Sequence, residues 1–574
     1  MRKIKTICGV ILTLLFIIWC AAESWTMPPY PDLEKLMRAG KVATPEHLAN
    51  SRLAQEMGFD QPVAHPISAV YPQGTGAVGS YKALVLLVNF SDNPSMVNPS
   101  FFDTLIFADQ PHCVRNYYQE VTYGTLDIVT LDLPSSTAWH TAPHTYDYYV
   151  DGQYGLYGLY PHNSQKLVED LVDMADSVVD FSDYDNDGDG YVDALIVVHA
   201  GQGAEYTGDT DDIWSHSWGV TWFWSSSNLK DGVRIGSYTI QPEYWLSAYD
   251  MTCGVYCHEL GHNFGLPDLY DYGYDSYGIG KWSLMAAGCW NGTLGNSPAH
   301  PDAYCMDRLG YLSPMVVTTN TSGVKIPAIE SSPEAYKLWT SGLPLSQYFL
   351  VSNRQRVGYD SALPYSGLLI WHVDESISDE GANDHQWYPG HTGYGHYKVA
   401  LEQADGLWQL EKMTSYGNSG DPFPGNGGKR NFNEISTPNS NDYSGAETYV
   451  AVINISNSQD TMNCDLLVSP ADVDDENEIN LPVEYRLKQN YPNPFNPRTE
   501  IEYYLPRNGS VSLKIFNALG KKVCTLVNRQ QERGSHSVNW NCTDDWGAPV
   551  SNGIYFCRLQ VNNFVQTNKM ILLK

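Results

Sequence analysis

The residues best suited to chemistry lie in His258-Glu259-Leu260-Gly261-His262-Asn263-Phe264-Gly265-Leu266-Pro267-Asp268. Residues four apart on a helix share one face, so His258 and His262 can each turn an imidazole nitrogen toward a single ion. Glu259 projects from the adjoining edge, where its carboxylate is free to take a proton from a water held by that ion. Gly265 suits a positive φ that ends the helix and folds the chain back. The reversal brings Asp268 within reach of the same metal. Zinc with three protein ligands keeps one position for water, whose pKa it lowers to about 7, so the expected chemistry is hydrolysis by an activated water.

The surroundings agree with this reading. Val255-Tyr256-Cys257 before the motif is apolar, as a helix buried under a sheet requires, and Trp282-Ser283-Leu284-Met285-Ala286-Ala287-Gly288 places a methionine in a turn of small residues. A glycine and an aspartate after the second histidine, followed by a methionine turn, resemble the metzincin clan of zinc endopeptidases. The wording HELGHNFGLPDLYD with KWSLMAAG resembles its immune inhibitor A branch. Tyr81 to Asp92, Asp183 to Asp193, Asp212 to His216 and Gly367 to Asp374 extend the resemblance over about residues 80 to 465. It implies zinc held by His258, His262 and Asp268, Glu259 as general base for peptide-bond hydrolysis, and Met285 as an apolar floor under the metal. Two alternatives for the third ligand stay open: Asp271, and a distant glutamate as in the gluzincin clan. Several metzincins carry a tyrosine two residues after the turn methionine. Ala287 stands there in this chain, so any oxyanion stabiliser besides the metal comes from elsewhere.

A second chemical signal is Asp183-Tyr184-Asp185-Asn186-Asp187-Gly188-Asp189-Gly190-Tyr191-Val192-Asp193. Carboxylates at Asp183, Asp185, Asp187, Asp189 and Asp193, with glycines that permit tight wrapping, suit a structural Ca²⁺. The bidentate glutamate of a helix-loop-helix sensor is missing in either register. His372 and Asp374 share one face of a strand; the reading preferred for them is packing or a second calcium patch rather than catalysis.

These groups need elements to hold them. Val85 to Phe90 and Ala194 to His199 are continuous apolar runs, as strands covered on both faces require, while Ser164 to Val178 has helical periodicity. The alternation predicts an α/β catalytic domain over 79–314, a mixed twisted sheet above the zinc helix. Residues 315–470 read as a β-rich domain of the same peptidase unit and 471–482 as an acidic linker. Residues 483–574 carry strand-like runs at the spacing of an Ig-like β-sandwich. That tail, which opens on Tyr491-Pro492-Asn493-Pro494-Phe495-Asn496-Pro497, resembles the Ig-like sorting domain of proteins exported by type IX secretion systems, which implies bacterial secretion machinery as a partner. The alternative is a passive Ig-like spacer.

Basic residues Arg2, Lys3 and Lys5 precede the apolar run Ile7 to Trp19, and Cys20-Ala21-Ala22 offers a cleavage site. Residues 1–22 therefore read as a signal peptide, the run being short for a stable transmembrane anchor. Residues 23–78 read as a prosegment that occludes the zinc until it is cut, the alternative being a segment that simply packs on the catalytic domain. A length of 574 residues predicts about three to five domains. The 65 acidic residues outnumber the 34 basic ones, which argues against nucleic acid as a partner and fits a secreted protein with bound calcium. Residues 481–574 invert that balance, with 12 Lys and Arg against 6 Asp and Glu, which marks a separate module. Eleven cysteines less Cys8 and Cys20 leave an odd number, so at least one is unpaired within the chain.

The reading is a secreted, extracellular or surface-attached zinc endopeptidase acting on proteins or peptides. The competitors are a surface-binding adhesin with an inactive zinc centre, suggested by 40 Tyr and 16 Trp, and a gluzincin-type protease with a different third ligand.

Overall fold

The computed structural model describes residues 24–45, residues 77–469 apart from 274, 340–344, 380 and 394, and most of 486–572. The expected signal peptide, the 46–76 stretch of the expected prosegment and the acidic linker lie outside the described residues. The chain forms two compact units, Met1–Val468 and Ser469–Lys574.

The sheet of the first unit follows from its apolar runs. Leu84–Asn89 and Leu195–His199 pair in parallel, Val85 opposite Ile196 and Leu87 opposite Val198, and every residue of the two strands but Asn89 is buried. Strands covered on both faces have no polar side to show, which is why alternation is missing from their sequences. The full order across the sheet is Ser24–Thr26, His216–Gly219, Ser237–Pro242, Leu195–His199, Leu84–Asn89 and Trp139–Thr141. The edge strand Ser24–Thr26 runs antiparallel to His216–Gly219, with Thr26 opposite His216. The helix expected from Ser164 spans Ser164–Ala175, and the Asn163 side chain caps it by accepting the Lys166 N–H.

The motif helix is Cys253–Asn263, and all of its residues are buried. Gly265 has φ +85° and donates its N–H to the His262 carbonyl at 2.8 Å, while Leu266 N–H returns to Gly261 at 3.1 Å. The helix thus stops where a left-handed residue is needed, and glycine adopts that conformation without steric cost.

The β-rich region contains a five-stranded sheet ordered Met315–Val317, Tyr336–Leu338, Gln347–Arg354, Gly367–Asp374 and Val399–Leu401. A second sheet joins Thr321–Pro327, Thr461–Leu467 and Ala451–Ile453. Both belong to the same compact unit as the first sheet. Arg354 is one reason: fully buried, it donates to Asp360 Oδ2 at 2.8 Å and to the carbonyls of Trp282 and His300 at 3.4 and 3.5 Å. His372 stacks on Tyr443 at 4.0 Å and faces Glu402 at 3.2 Å, while His396 stacks on the same tyrosine at 3.8 Å and faces Asp374 at 2.8 Å. The pair is packed and hydrogen-bonded within the fold.

The second unit has a sheet of Arg486–Leu487, Thr499–Leu505 and Gly534–Trp540. Its other sheet is ordered Lys522–Gln531, Gly509–Asn517, Gly553–Val561 and Phe564–Leu572. Residues from both sheets, among them Ile501, Trp540, Leu513, Ile515 and Leu559, share one core, so the two sheets face each other.

Candidate metal centre

The motif helix presents His258 and His262 one turn apart, their rings nearly perpendicular. Each Nδ1 lies 2.9 Å from a backbone carbonyl, that of Leu284 for His258 and that of Leu266 for His262. A carbonyl only accepts, so both Nδ1 atoms carry the proton and both Nε2 atoms present lone pairs. Those two lone pairs face each other at 3.2 Å, and Asp268 Oδ1 lies 3.2 Å from one and 3.4 Å from the other. Three electron-rich atoms at such range repel unless a cation lies among them. Tetrahedral zinc with ligands at about 2.0–2.1 Å separates its ligand atoms by about 3.3 Å, so the donor set fits that ion.

Burial makes the need for a cation sharper. His258 and Glu259 are 0 % exposed, His262 and Asp268 2 %. Both Glu259 carboxylate oxygens and Asp268 Oδ1 are buried without a hydrogen-bond donor. Burial pushes the Glu259 carboxyl well above its usual range, and the nearby carboxylates of Asp268 and Glu205 add to the shift. Burial also lowers the His262 imidazole, against the pull of Asp268. Glu259 follows His258 directly and has both carboxylate oxygens unpartnered, so it is the group free to exchange a proton with a water placed among the three convergent atoms.

The turn carrying Met285 supports this group from below. Met285 is 0 % exposed, and a Cβ on Gly261 would lie 2.8 Å from its Sδ. The absence of a side chain at Gly261 is therefore what lets the methionine pack against the helix between the two histidines. The Leu284 carbonyl that orients His258 belongs to the same turn, and the Met285 carbonyl accepts the Leu269 N–H at 2.7 Å, next to Asp268 on the chain. Tyr118 OH donates to the Cys257 carbonyl at 2.7 Å from the far side. Cys257 is buried, its thiol pushed well up, chiefly by that burial.

Asp271, the alternative ligand, lies outside this group. Its oxygens accept the N–H groups of Gly273, Asp275 and Ser276 at 2.6, 3.1 and 2.7 Å. One contact absent from the sequence reading is Tyr272 OH donating to Asp268 Oδ2. Tyrosine four residues after the aspartate was the available signal, but its direction depends on the loop. Tyr270 is the other: its ring lies 6.5 Å from that of His258, and its hydroxyl donates to the Thr26 carbonyl.

In the acidic loop, Asp185, Asp187 and Asp189 bring carboxylate oxygens within 4.8 Å of one another. Asp183 and Asp193 flank that group. Asp183 belongs to the preceding 3₁₀ turn Phe181–Tyr184, and Asp193 turns Oδ2 back to the Asn186 N–H. Asp185 instead organises the loop, accepting from Gly188, Asp189 and Gly190 at 2.7, 3.1 and 3.0 Å. Among the described residues, the histidine–aspartate group and this cluster are those able to hold a metal.

A mixed sheet over a helix carries this HExxH arrangement, and with the carboxylate after the glycine turn it forms a three-residue group able to hold one metal ion. Residues 70–310 match the family described as immune inhibitor A peptidase M6, catalytic domain, and residues 496–563 match the FlgD Ig-like domain. Immune inhibitor A of Bacillus thuringiensis subsp. alesti is 30% identical over 279 residues, 39% of this chain and 38% of that protein. Pre-pro-metalloprotease PrtV of Vibrio cholerae serotype O1 is 26% identical over 274 residues, 40% of this chain and 29% of that protein. The chain thus spans under two fifths of the length of these curated relatives. A solved structure of FlgD from P. aeruginosa shares 24% identity over 13% of this chain and 57% of its own, with a TM-score of 0.11. Among the described residues, no helix is long and apolar enough to cross a membrane.

Proposed function

We propose that this chain is a secreted zinc-dependent endopeptidase that hydrolyses proteins or peptides. The observation that carries the reading is the convergence of His258 Nε2, His262 Nε2 and Asp268 Oδ1 at 3.2 to 3.4 Å, beside a glutamate whose two oxygens have no donor. Similarity of residues 70–310 to the peptidase M6 catalytic domain supports it.

When bound, zinc supplies the positive charge that acidifies a water and polarises a peptide carbonyl. His258 and His262 hold the metal through Nε2 because their Nδ1 protons are committed to Leu284 and Leu266. Asp268 adds the negative charge. Glu259 takes the water proton as the carbonyl carbon is attacked and passes it to the leaving amine, one carboxylate serving both steps. Met285 fills the space under the histidines and keeps it dry. Glu259→Gln is expected to retain zinc and lose about 10²–10⁴-fold in kcat/KM on an unfolded protein substrate. Zinc content measured beside turnover tests this, and turnover near that of the parent refutes the base assignment.

Three further roles belong to the same reading. The loop of Asp185, Asp187 and Asp189 holds a structural Ca²⁺. The N-terminal segment restrains the enzyme before processing. Thr26 and Met27 are 0 % exposed, Trp290 and Trp214 donate to the carbonyls of Pro28 and Met27, and Tyr270, whose ring lies 6.5 Å from that of His258, donates its hydroxyl to the Thr26 carbonyl. Equal activity of full-length and N-terminally trimmed protein would count against restraint. The Ig-like tail serves export and surface attachment through bacterial secretion machinery, which a tail-deleted strain retaining normal secretion would refute.

A further inference from the structure

The third ligand is held by residues more than a hundred positions further along the chain. Asp268 directs Oδ1 at both histidines, and its Oδ2 accepts the Tyr272 hydroxyl. A carboxylate with both oxygens free can rotate or bind through either one. A donor on Oδ2 removes that freedom and leaves Oδ1 as the ligand atom. Tyr272 is 2 % exposed and is itself held, its backbone N–H donating to Asp384 Oδ1 at 3.0 Å. Next to Asp268 on the chain, the Leu269 carbonyl accepts Asn383 Nδ2 at 3.1 Å. Asn383 is 0 % exposed and doubly anchored, giving Nδ2 to the Val399 carbonyl at 2.8 Å and accepting the Val399 N–H on Oδ1 at 3.1 Å. Val399 opens the strand Val399–Leu401, an edge of the five-stranded sheet.

We propose that Tyr272, Asn383 and Asp384 form a positioning clamp that holds Asp268 as a ligand through one oxygen, so that the β-rich region beyond residue 314 is part of the metal centre. This rests on the metal-centre reading above. The clamp grips the ligand loop at two points after the Gly265 reversal, Leu269 and Tyr272, and the sheet that anchors it lies beyond residue 310, where the peptidase similarity ends.

The test uses the full chain carrying Glu259→Gln, which suppresses self-digestion. Zn²⁺ affinity is measured by competition with a chromophoric chelator, and the visible absorption of the Co²⁺-loaded protein reports ligand geometry. Tyr272→Phe removes one hydroxyl and keeps the ring, so the metal-free protein should melt within a degree or two of the parent. Its zinc affinity is expected to fall about 10–100-fold, as for other partners that orient a ligand, with a shifted Co²⁺ spectrum. Asn383→Ala is expected to weaken zinc similarly, and so is Asn383→Asp, whose carboxylate still accepts from Val399 but cannot donate to the Leu269 carbonyl. If the parent binds zinc, His258→Ala abolishes binding, and Tyr272→Phe binds as tightly as the parent with an unchanged Co²⁺ spectrum, the clamp is overturned and the metal centre stands. If the parent holds no zinc, the metal-centre reading falls first, and the clamp with it.

Discussion

Gly261→Ala isolates the packing between the motif helix and the methionine turn. Alanine in a helix interior is normally favoured over glycine by about 1 kcal/mol. At this position the new methyl would lie 2.8 Å from Met285 Sδ, 3.5 Å from its Cε and 3.7 Å from Leu266 Cδ1. Ordinary carbon–sulfur contact needs nearly 1 Å more, and Met285 is fully buried in a turn whose carbonyls already hold His258 and Leu269. Overpacking of this kind costs about 1–3 kcal/mol, which sets the expected net loss at about 0–2 kcal/mol. Met285→Ala alone should cost about 2–5 kcal/mol through the cavity it leaves. In the double variant the two changes compensate, since the alanine methyl enters the vacated space, giving a coupling of about 1–3 kcal/mol. Urea titrations of the four proteins, all carrying Glu259→Gln, provide the cycle, with midpoints compared at constant slope. A Gly261→Ala protein more stable than its parent, together with additive effects, would refute the argument.

Other perturbations separate the remaining forces. Arg354→Leu strands Asp360 and Glu330 in the core without their cation; a loss of about 3–5 kcal/mol is expected in denaturant titration, and a change under 1 kcal/mol would contradict the buried-pair account. Tyr118→Phe leaves the Cys257 carbonyl without its side-chain donor, at a cost of about 1 kcal/mol read from the shift in midpoint. Asp193 gives a pH dependence: its carboxyl is pushed up to about 7, chiefly by burial, with Asp187 and Asp189 adding to the shift against the Asn186 N–H. The folded chain keeps this proton over a range where the unfolded one releases it, so stability falls as pH rises from about 4 to about 7. A cation in the neighbouring loop offsets that loss, so calcium should raise Tm more at pH 8 than at pH 5. A Tm that calcium leaves at its chelator-control value at both pH values would show that the loop holds no such ion.

What could be read from the chain follows the range of the interaction that does the positioning. His258, Glu259 and His262 share a face because helical geometry is local, and Gly265 marks the reversal because a positive φ favours glycine; both are visible in eleven residues. The strands of the tail are legible for the same reason, since alternation writes burial directly into the order of residues, as in Gly509–Asn517. Five alternating carboxylates look equivalent as a string, yet Asp193 turns to a backbone N–H and Asp183 falls in the preceding 3₁₀ turn. Spacing counts possible ligands, whereas the path of the folded loop decides which of them converge. Ser24–Thr26 is too short to show a period, and only its pairing with His216–Gly219 makes it a strand. Tyr272, Asn383 and Asp384 are harder still, because each is an ordinary loop residue whose role depends on a contact about 110 positions away or on a partner so held. The metal motif is therefore local in sequence and non-local in support. Changes far from residues 258–268 should alter zinc affinity in proportion to how directly they reach Leu269 and Tyr272, and not in proportion to their distance along the chain.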